Sequence, residues 1–202
     1  MVDKLPVRPT IIIDTREKPG YRLFASSPDG DKDVAAYIEE KVDAGDYTIK
    51  EIPNLVVIEK KADGKELYGN LVTNKDTFMR CIDRMRAFKH KYIVIQQTYA
   101  EFLDPKNWTF INPYPRRFSV MAMVESWLIS LSQTEGIHFI FAGKANAPRL
   151  ARRILVKSYE YERKRIKNGQ KDLDDETANI STEDVTNPRP GNNVKGGSET
   201  SV

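Results

Sequence analysis

Apolar, β-branched runs that end on a charge mark the first third of the chain. Ile11-Ile12-Ile13 leads into Asp14, and Leu55-Val56-Val57-Ile58 leads into Glu59. Short apolar runs bounded by turn residues read as buried strands, here over 10–14 and 55–61. Between them, residues 15–33 hold Pro19, Gly20, Pro28 and Gly30, which is loop chemistry. The stretch 34–42 fits two patterns. Val34, Ala35, Ile38 and Val42 have helical spacing, whereas Ile38, Glu40 and Val42 alternate as in a strand. A strand over 38–43 is favoured, because it leads straight into Gly45-Asp46-Tyr47-Thr48-Ile49.

The period then changes. Phe78, Ile82, Met85 and Phe88 form one stripe and predict a helix over 75–88. A strand follows over 92–96, and a Pro-, Asn- and aromatic-rich loop over 104–117. A helix over 118–134 would turn Val120, Met123, Val124, Trp127, Leu128 and Leu131 inward. Ile137–Phe141 reads as a strand with His138 packed in it. The last helix, 146–167, takes Pro148 in its first turn, where no intrahelical donor is needed. Its apolar stripe reads as Leu150, Ile154 and Tyr161, with Leu155 alongside. Strands alternating with helices predict an α/β protein with a mixed sheet and helices packed on it. Residues 1–9, with Pro6 and Pro9, are expected to be a loosely ordered extension. Residues 169–202 are polar and acidic and are expected to be disordered, leaving 10–168 as the domain.

Composition narrows the class. A chain of 202 residues, 40% hydrophobic, suits one domain with a tail. It holds no apolar run of about 18 residues, and its first six residues lack a signal-peptide core. Cys81 is the single cysteine, which excludes an intrachain disulfide and a cysteine-cluster zinc site. An intracellular protein off the membrane is expected. Residues 170–202 carry three Lys/Arg against seven Asp/Glu, net −4, so the overall +3 leaves +7 on the rest. A basic body suits a polyanionic partner or ordinary solubility. No Gly-rich phosphate loop and no Ser/His/Asp arrangement stands out.

The acids at the strand ends carry the chemistry. Glu59 and Lys61 are two apart on a strand and share a face. Phosphodiester hydrolysis needs an activated water and relief of phosphate charge, and oxygen-ligated Mg²⁺ (or Mn²⁺) serves both. Asp46 and Glu59 would supply carboxylates and Lys60 a backbone carbonyl, while Lys61 would orient the nucleophile and offset developing charge. Asp14 and Glu17 would add acidity to the same pocket, holding a second ion or orienting water. Arg16 suits a phosphate clamp. Each piece also has an ordinary structural reading: Gly-Asp-Tyr as a turn, Asp-Thr-Arg-Glu as a helix cap with a salt bridge.

Together the pieces say more. The order Asp…Glu-x-Lys is the core of the PD-(D/E)xK pattern. With Asp14-Thr15-Arg16-Glu17 and Gly45-Asp46-Tyr47 ahead of Glu59-Lys60-Lys61, residues 10–165 resemble the XPF-type structure-specific nucleases. Phe78-Met79-Arg80 and Arg84-Met85 continue the similarity. In the third block Lys60 stands where the family has arginine, which keeps the charge and loses the fork. The family's following acidic motif falls on Asp63 or Glu66.

The resemblance implies a restriction-endonuclease-like fold, a mixed central sheet flanked by helices. It implies a metal-dependent endonuclease on branched DNA such as flaps, forks or junctions. Asp14, Glu17, Asp46, Glu59 and Lys61 would be catalytic, with Asp14, Asp46, Glu59 and Lys60 around the ion. Arg16, Lys60, Arg80 and Arg84 would contact DNA. Family members dimerise through this domain, so a homodimer or heterodimer through the C-terminal helices is expected. Many also carry tandem helix-hairpin-helix domains; none is expected in these residues, which fits a compact nuclease-only form. The place of action would be a prokaryotic or phage-infected cytoplasm, or a nucleus. The alternatives are a non-catalytic DNA-binding or scaffold subunit that keeps the fold, and a restriction-type nuclease with the same metal core.

Overall fold

A computed structural model describes residues 5–24 and 31–168. The expected disorder over 169–202, and part of the expected loop over 15–33, lie outside the described residues. Six strands form one mixed sheet: β1 (Thr10–Asp14), β2 (Ala36–Glu40), β3 (Tyr47–Ile49), β4 (Val56–Lys61), β5 (His90–Ile95) and β6 (Ile137–Phe141). Their order is β2-β1-β3-β4-β5-β6. β3 runs antiparallel to both of its neighbours, and the β1–β2, β4–β5 and β5–β6 pairs are parallel. The α/β class and the mixed sheet flanked by helices are therefore as the sequence predicts.

Five helices accompany the sheet: α1 (Gly64–Tyr68), α2 (Lys75–Met85), α3 (Tyr99–Leu103), α4 (Arg116–Glu135) and α5 (Ala147–Lys167). Strand alternation divides the core in two. Val57, Ile93, Ile95 and Ile137 face α2 and α4, where Phe78, Ile82, Met85, Val124 and Leu128 meet them. Ile11, Ile13, Val56, Ile58 and Val94 face α5, against Ala147, Ala151, Leu155 and Tyr159. Full burial of one such aliphatic side chain contributes about 1.5–3 kcal/mol, so both layers hold the strands in register.

Several local expectations shift. The strand expected over 38–43 is instead Ala36–Glu40, and Val42 leaves the sheet to be buried beneath Asp14. Residues 5–9 are not loose: Tyr159 Oη donates to the Pro6 carbonyl at 2.7 Å, and Ala35 N–H donates to that of Pro9 at 2.8 Å. The loop expected over 104–117 contains a 3₁₀ turn (Pro105–Trp108) that buries Trp108. On α4 the expected Val120, Val124, Leu128 and Leu131 are buried and Trp127 is half-buried, but Met123 is exposed and Met121 is buried in its stead. On α5 the inward stripe is Ala151, Leu155, Tyr159 and Glu162, while Tyr161 is 66% exposed. Small alanines let α5 lie close on the sheet, and the larger Leu150 and Ile154 sit at its edge. His138 is exposed on the edge strand, its ring 5.1 Å from that of Tyr92. Among the described residues, no helix is long and apolar enough to cross a membrane.

Candidate active site

The ends of β1, β3 and β4 meet at one edge of the sheet. There an open cleft of about 500 Å³ is lined by Arg16, Glu17, Lys18, Asp46, Glu59, Lys60, Lys61, Ala62, Glu66 and Gln96. β4 continues the α2-facing row Val57–Glu59–Lys61, so Glu59 and Lys61 point to one side, as their spacing requires.

Asp46 reaches the same place through a turn only glycine permits. Gly45 has φ +70°, and a Cβ there would come within 2.4 Å of Val57 Cγ2 and 2.8 Å of the Ile58 carbonyl oxygen. That close approach lets Asp46 N–H donate to the Ile58 carbonyl at 2.8 Å. Lys60 N–H donates to Asp46 Oδ2 at 2.7 Å. The N–H and C=O of one strand residue point the same way, so the Lys60 carbonyl also faces Asp46. Burial, and then the charge of Glu59, push the Asp46 carboxyl up to about 8, against the Lys60 N–H bond. Two carboxylates are thus crowded together without enough positive charge between them.

Lys61 is buried among acids. Its Nζ donates to Glu59 Oε1 at 2.7 Å and lies 3.3 Å from Glu66 Oε1. Burial opposes its charge, but Glu59 and Glu66 outweigh burial and raise its pKa. Asp63 and Glu66, the two candidates for the acidic motif, stand differently. Asp63 caps α1 by accepting from Glu66 N–H at 2.9 Å, while Glu66 lines the cleft. Cys81, on α2, donates its thiol to Glu59 Oε2 at 3.5 Å. Burial and then Glu59 push that thiol up to about 11, which keeps it a neutral donor. The spacing of Cys81 from Phe78 along the chain carries no sign of this contact. Lys18 and Gln96 were also missed, and only their adjacency to Glu17 and to the end of β5 could have raised them.

Other expected site residues stand differently. Glu17 lines the cleft but is paired with Lys60 Nζ at 3.0 Å, on the opposite side of β4 from Glu59. Asp14 is 1% exposed and does not line the cleft. Oδ1 accepts from the Arg16 backbone N–H (2.7 Å) and Nε (2.9 Å), and Oδ2 accepts from Arg16 Nη2 (2.5 Å) and Val42 N–H (3.2 Å). Burial disfavours its charge, yet these bonds prevail and lower its pKa. Asp14, expected beside the ion, thus has its lone pairs occupied by four donors within the protein. Arg80 and Arg84 lie away from the cleft lining; Arg80 bonds Thr77, and Arg84 Nε donates to the Asp43 carbonyl at 2.7 Å.

The donor set suits a hard cation. Mg²⁺ takes one or two carboxylates, with water and substrate oxygens completing its shell, and Asp46, Glu59 and the Lys60 carbonyl match that need. Among the described residues no group of three or more His, Cys, Asp or Glu side chains gathers to hold a metal by itself.

No protein-family model and no curated protein matches the chain. Solved structures do. XPF from Aeropyrum pernix is similar over 74% of this chain at 14% identity, with a TM-score of 0.50; the chain spans 60% of that protein's length. The same protein in complex with DNA is similar over 87% of this chain and 74% of its own, at 15% identity and a TM-score of 0.50. The fold is XPF-type and restriction-endonuclease-like. In the XPF-type sheet found here, Gly45-Asp46-Tyr47 and Glu59-Lys60-Lys61 lie on antiparallel neighbours, β3 and β4. Tyr47 turns away from the cleft, where its hydroxyl accepts from Leu23 N–H at 2.8 Å.

Proposed function

We propose that the chain is a metal-dependent endonuclease that hydrolyses phosphodiesters in branched DNA. The observation that carries this is the convergence of Asp46, Glu59 and Lys61 in one open cleft, with Asp46 crowded against Glu59. The similarity to XPF, one example of which is a complex with DNA, supports DNA as the polymer.

Asp46, Glu59 and the Lys60 carbonyl would hold Mg²⁺ or Mn²⁺. When bound, the ion acidifies water and withdraws charge from the phosphate. The protein's own groups do the rest. Lys61, fixed by Glu59 and Glu66, puts a cation where charge grows on the phosphate as the P–O bond to the sugar breaks. Lys18 at the cleft rim attracts the backbone. Glu17 neutralises Lys60 and keeps that amine from competing for the phosphate. A second copy would dock through α4 and α5, where Phe118, Ile129 and Tyr161 expose 52%, 54% and 66% of their surfaces.

The test is cleavage of flap, fork, junction and linear duplex DNA with Mg²⁺ or Mn²⁺. Cleavage of branched substrates that is lost in Asp46→Ala and Glu59→Ala is expected. Equal cutting of linear duplex would favour a restriction-type enzyme. Binding without cleavage would favour the scaffold reading.

A further inference from the structure

We infer that Asp14 and Arg16 form a positioning clamp for Asp46, rather than a metal ligand and a phosphate contact. This rests on the reading of Asp46 and Glu59 as the ion's holders. Three observations lead to it.

The first is saturation. A carboxylate offers about four lone-pair sites, and Asp14 spends them on four donors within the protein. A cation at Asp14 would have to displace an arginine fork and a backbone N–H while entering a position that is 1% exposed.

The second is where the clamp reaches. Val42 is gripped twice, by its N–H on Asp14 Oδ2 and by its carbonyl, which accepts from Arg16 Nη2 at 2.7 Å. Asp14 N–H donates to the Asp46 carbonyl at 2.9 Å. The 41–46 connection is therefore pinned to the end of β1 at both ends, and it delivers Asp46 to the cleft. Arg84 closes the same connection from α2 through the Asp43 carbonyl.

The third is the state of Arg16. It lines the cleft, but Nε and Nη2 are committed inward, and only Nη1 has no partner among the described residues. A forked grip on phosphate needs two N–H groups on one edge; Arg16 has already spent that edge on Asp14. Groups behind a ligand that set its orientation are worth about ten- to a hundredfold in metal affinity.

Calorimetric titration of Mn²⁺ into wild type, Asp14→Asn, Arg16→Gln and the double variant tests this, below the melting point of each. The clamp predicts about tenfold weaker Mn²⁺ binding in each single variant and no further loss in the double, because either change opens the same device. It also predicts that Arg16→Gln lowers kcat on DNA and leaves KM unchanged. Abolished Mn²⁺ binding in Asp14→Asn with wild-type affinity in Arg16→Gln would make Asp14 a ligand and overturn the clamp. So would unchanged affinity in both, additive losses, or a raised KM alone in Arg16→Gln. If Asp14→Asn does not fold, Arg16→Gln decides, since it leaves the carboxylate intact. Absence of Mn²⁺ binding by wild type would instead remove the metal reading itself, and the clamp with it.

Discussion

Lys61 and Asp46 carry the proposed chemistry, and each gives a separable test. Lys61 sits 2.7 Å from one carboxylate and 3.3 Å from a second, so its position is fixed before DNA arrives. Lys61→Ala should lower kcat by about 10²–10³, the usual cost of one oriented donor, with KM for DNA nearly unchanged. Single-turnover cleavage checks this; a raised KM with normal kcat would make Lys61 a binding residue only. Asp46 carries an energetic cost in the metal-free protein. Its carboxyl is raised to about 8 in the fold, while an unfolded aspartate titrates near 4. The fold thus holds a proton the unfolded chain releases, and stability falls as pH rises from about 4 to about 8. Asparagine removes that loss. In EDTA at pH 8, Asp46→Asn should be more stable than wild type, with the gap closing toward pH 4. Chemical denaturation across pH reads it; a gap that widens as pH falls would contradict it. At this scale strand parity made the shared face of Glu59 and Lys61 legible, and the structure brings Asp46 into the cleft that they line. The bonds of Asp14 to Arg16 and Val42 were not legible, because they depend on a connection whose path no periodicity encodes.

At the level of elements, long periodic segments were legible and edges were not. β4 is bounded as expected from its apolar run, and α5 begins near Pro148 as that proline requires. β2 begins two residues and ends three residues earlier than expected, because an edge strand with exposed ends has little apolar pattern to fix its bounds. α3 was invisible, being one turn held by a Thr98–Glu101 capping box rather than by an apolar stripe. The inward face of α5 was misjudged because alanines, not large residues, make the contact with the sheet. α5 is further fastened to the β2 edge by Arg152. Its Nε donates to Asp31 Oδ2 at 2.6 Å, and its Nη2 reaches Asp33 at 2.9 Å. The Arg152 bond, against burial, holds Asp31 well below the usual carboxylate range. This stabilisation is fully present above the unfolded value near 4 and is lost as pH falls through the lowered folded value. Asp31→Asn should therefore cost about 2 kcal/mol at pH 7 and progressively less in acid. Urea melts at pH 7 and pH 3 check it; a cost independent of pH would assign the bond no ionic part.

On the scale of the whole molecule, the sheet edge that gathers Asp46, Glu59 and Lys61 belongs to a body of net charge +7, with the −4 segment beyond it. On the proposed reading, a basic body would draw DNA in through counterion release, and the acids of the cleft would receive the cation. The XPF-type fold explains how this is built: antiparallel β3 and β4 bring two motifs, apart in sequence, into contact at one strand end. Whether that meeting point holds a cation can be read from the anomalous scattering of a Mn²⁺-soaked crystal. A peak is expected within bonding distance of both Asp46 and Glu59, with Asp14 outside the coordination shell. A crystal saturated with Mn²⁺ that shows no peak there, or shows one held by other residues, would contradict it.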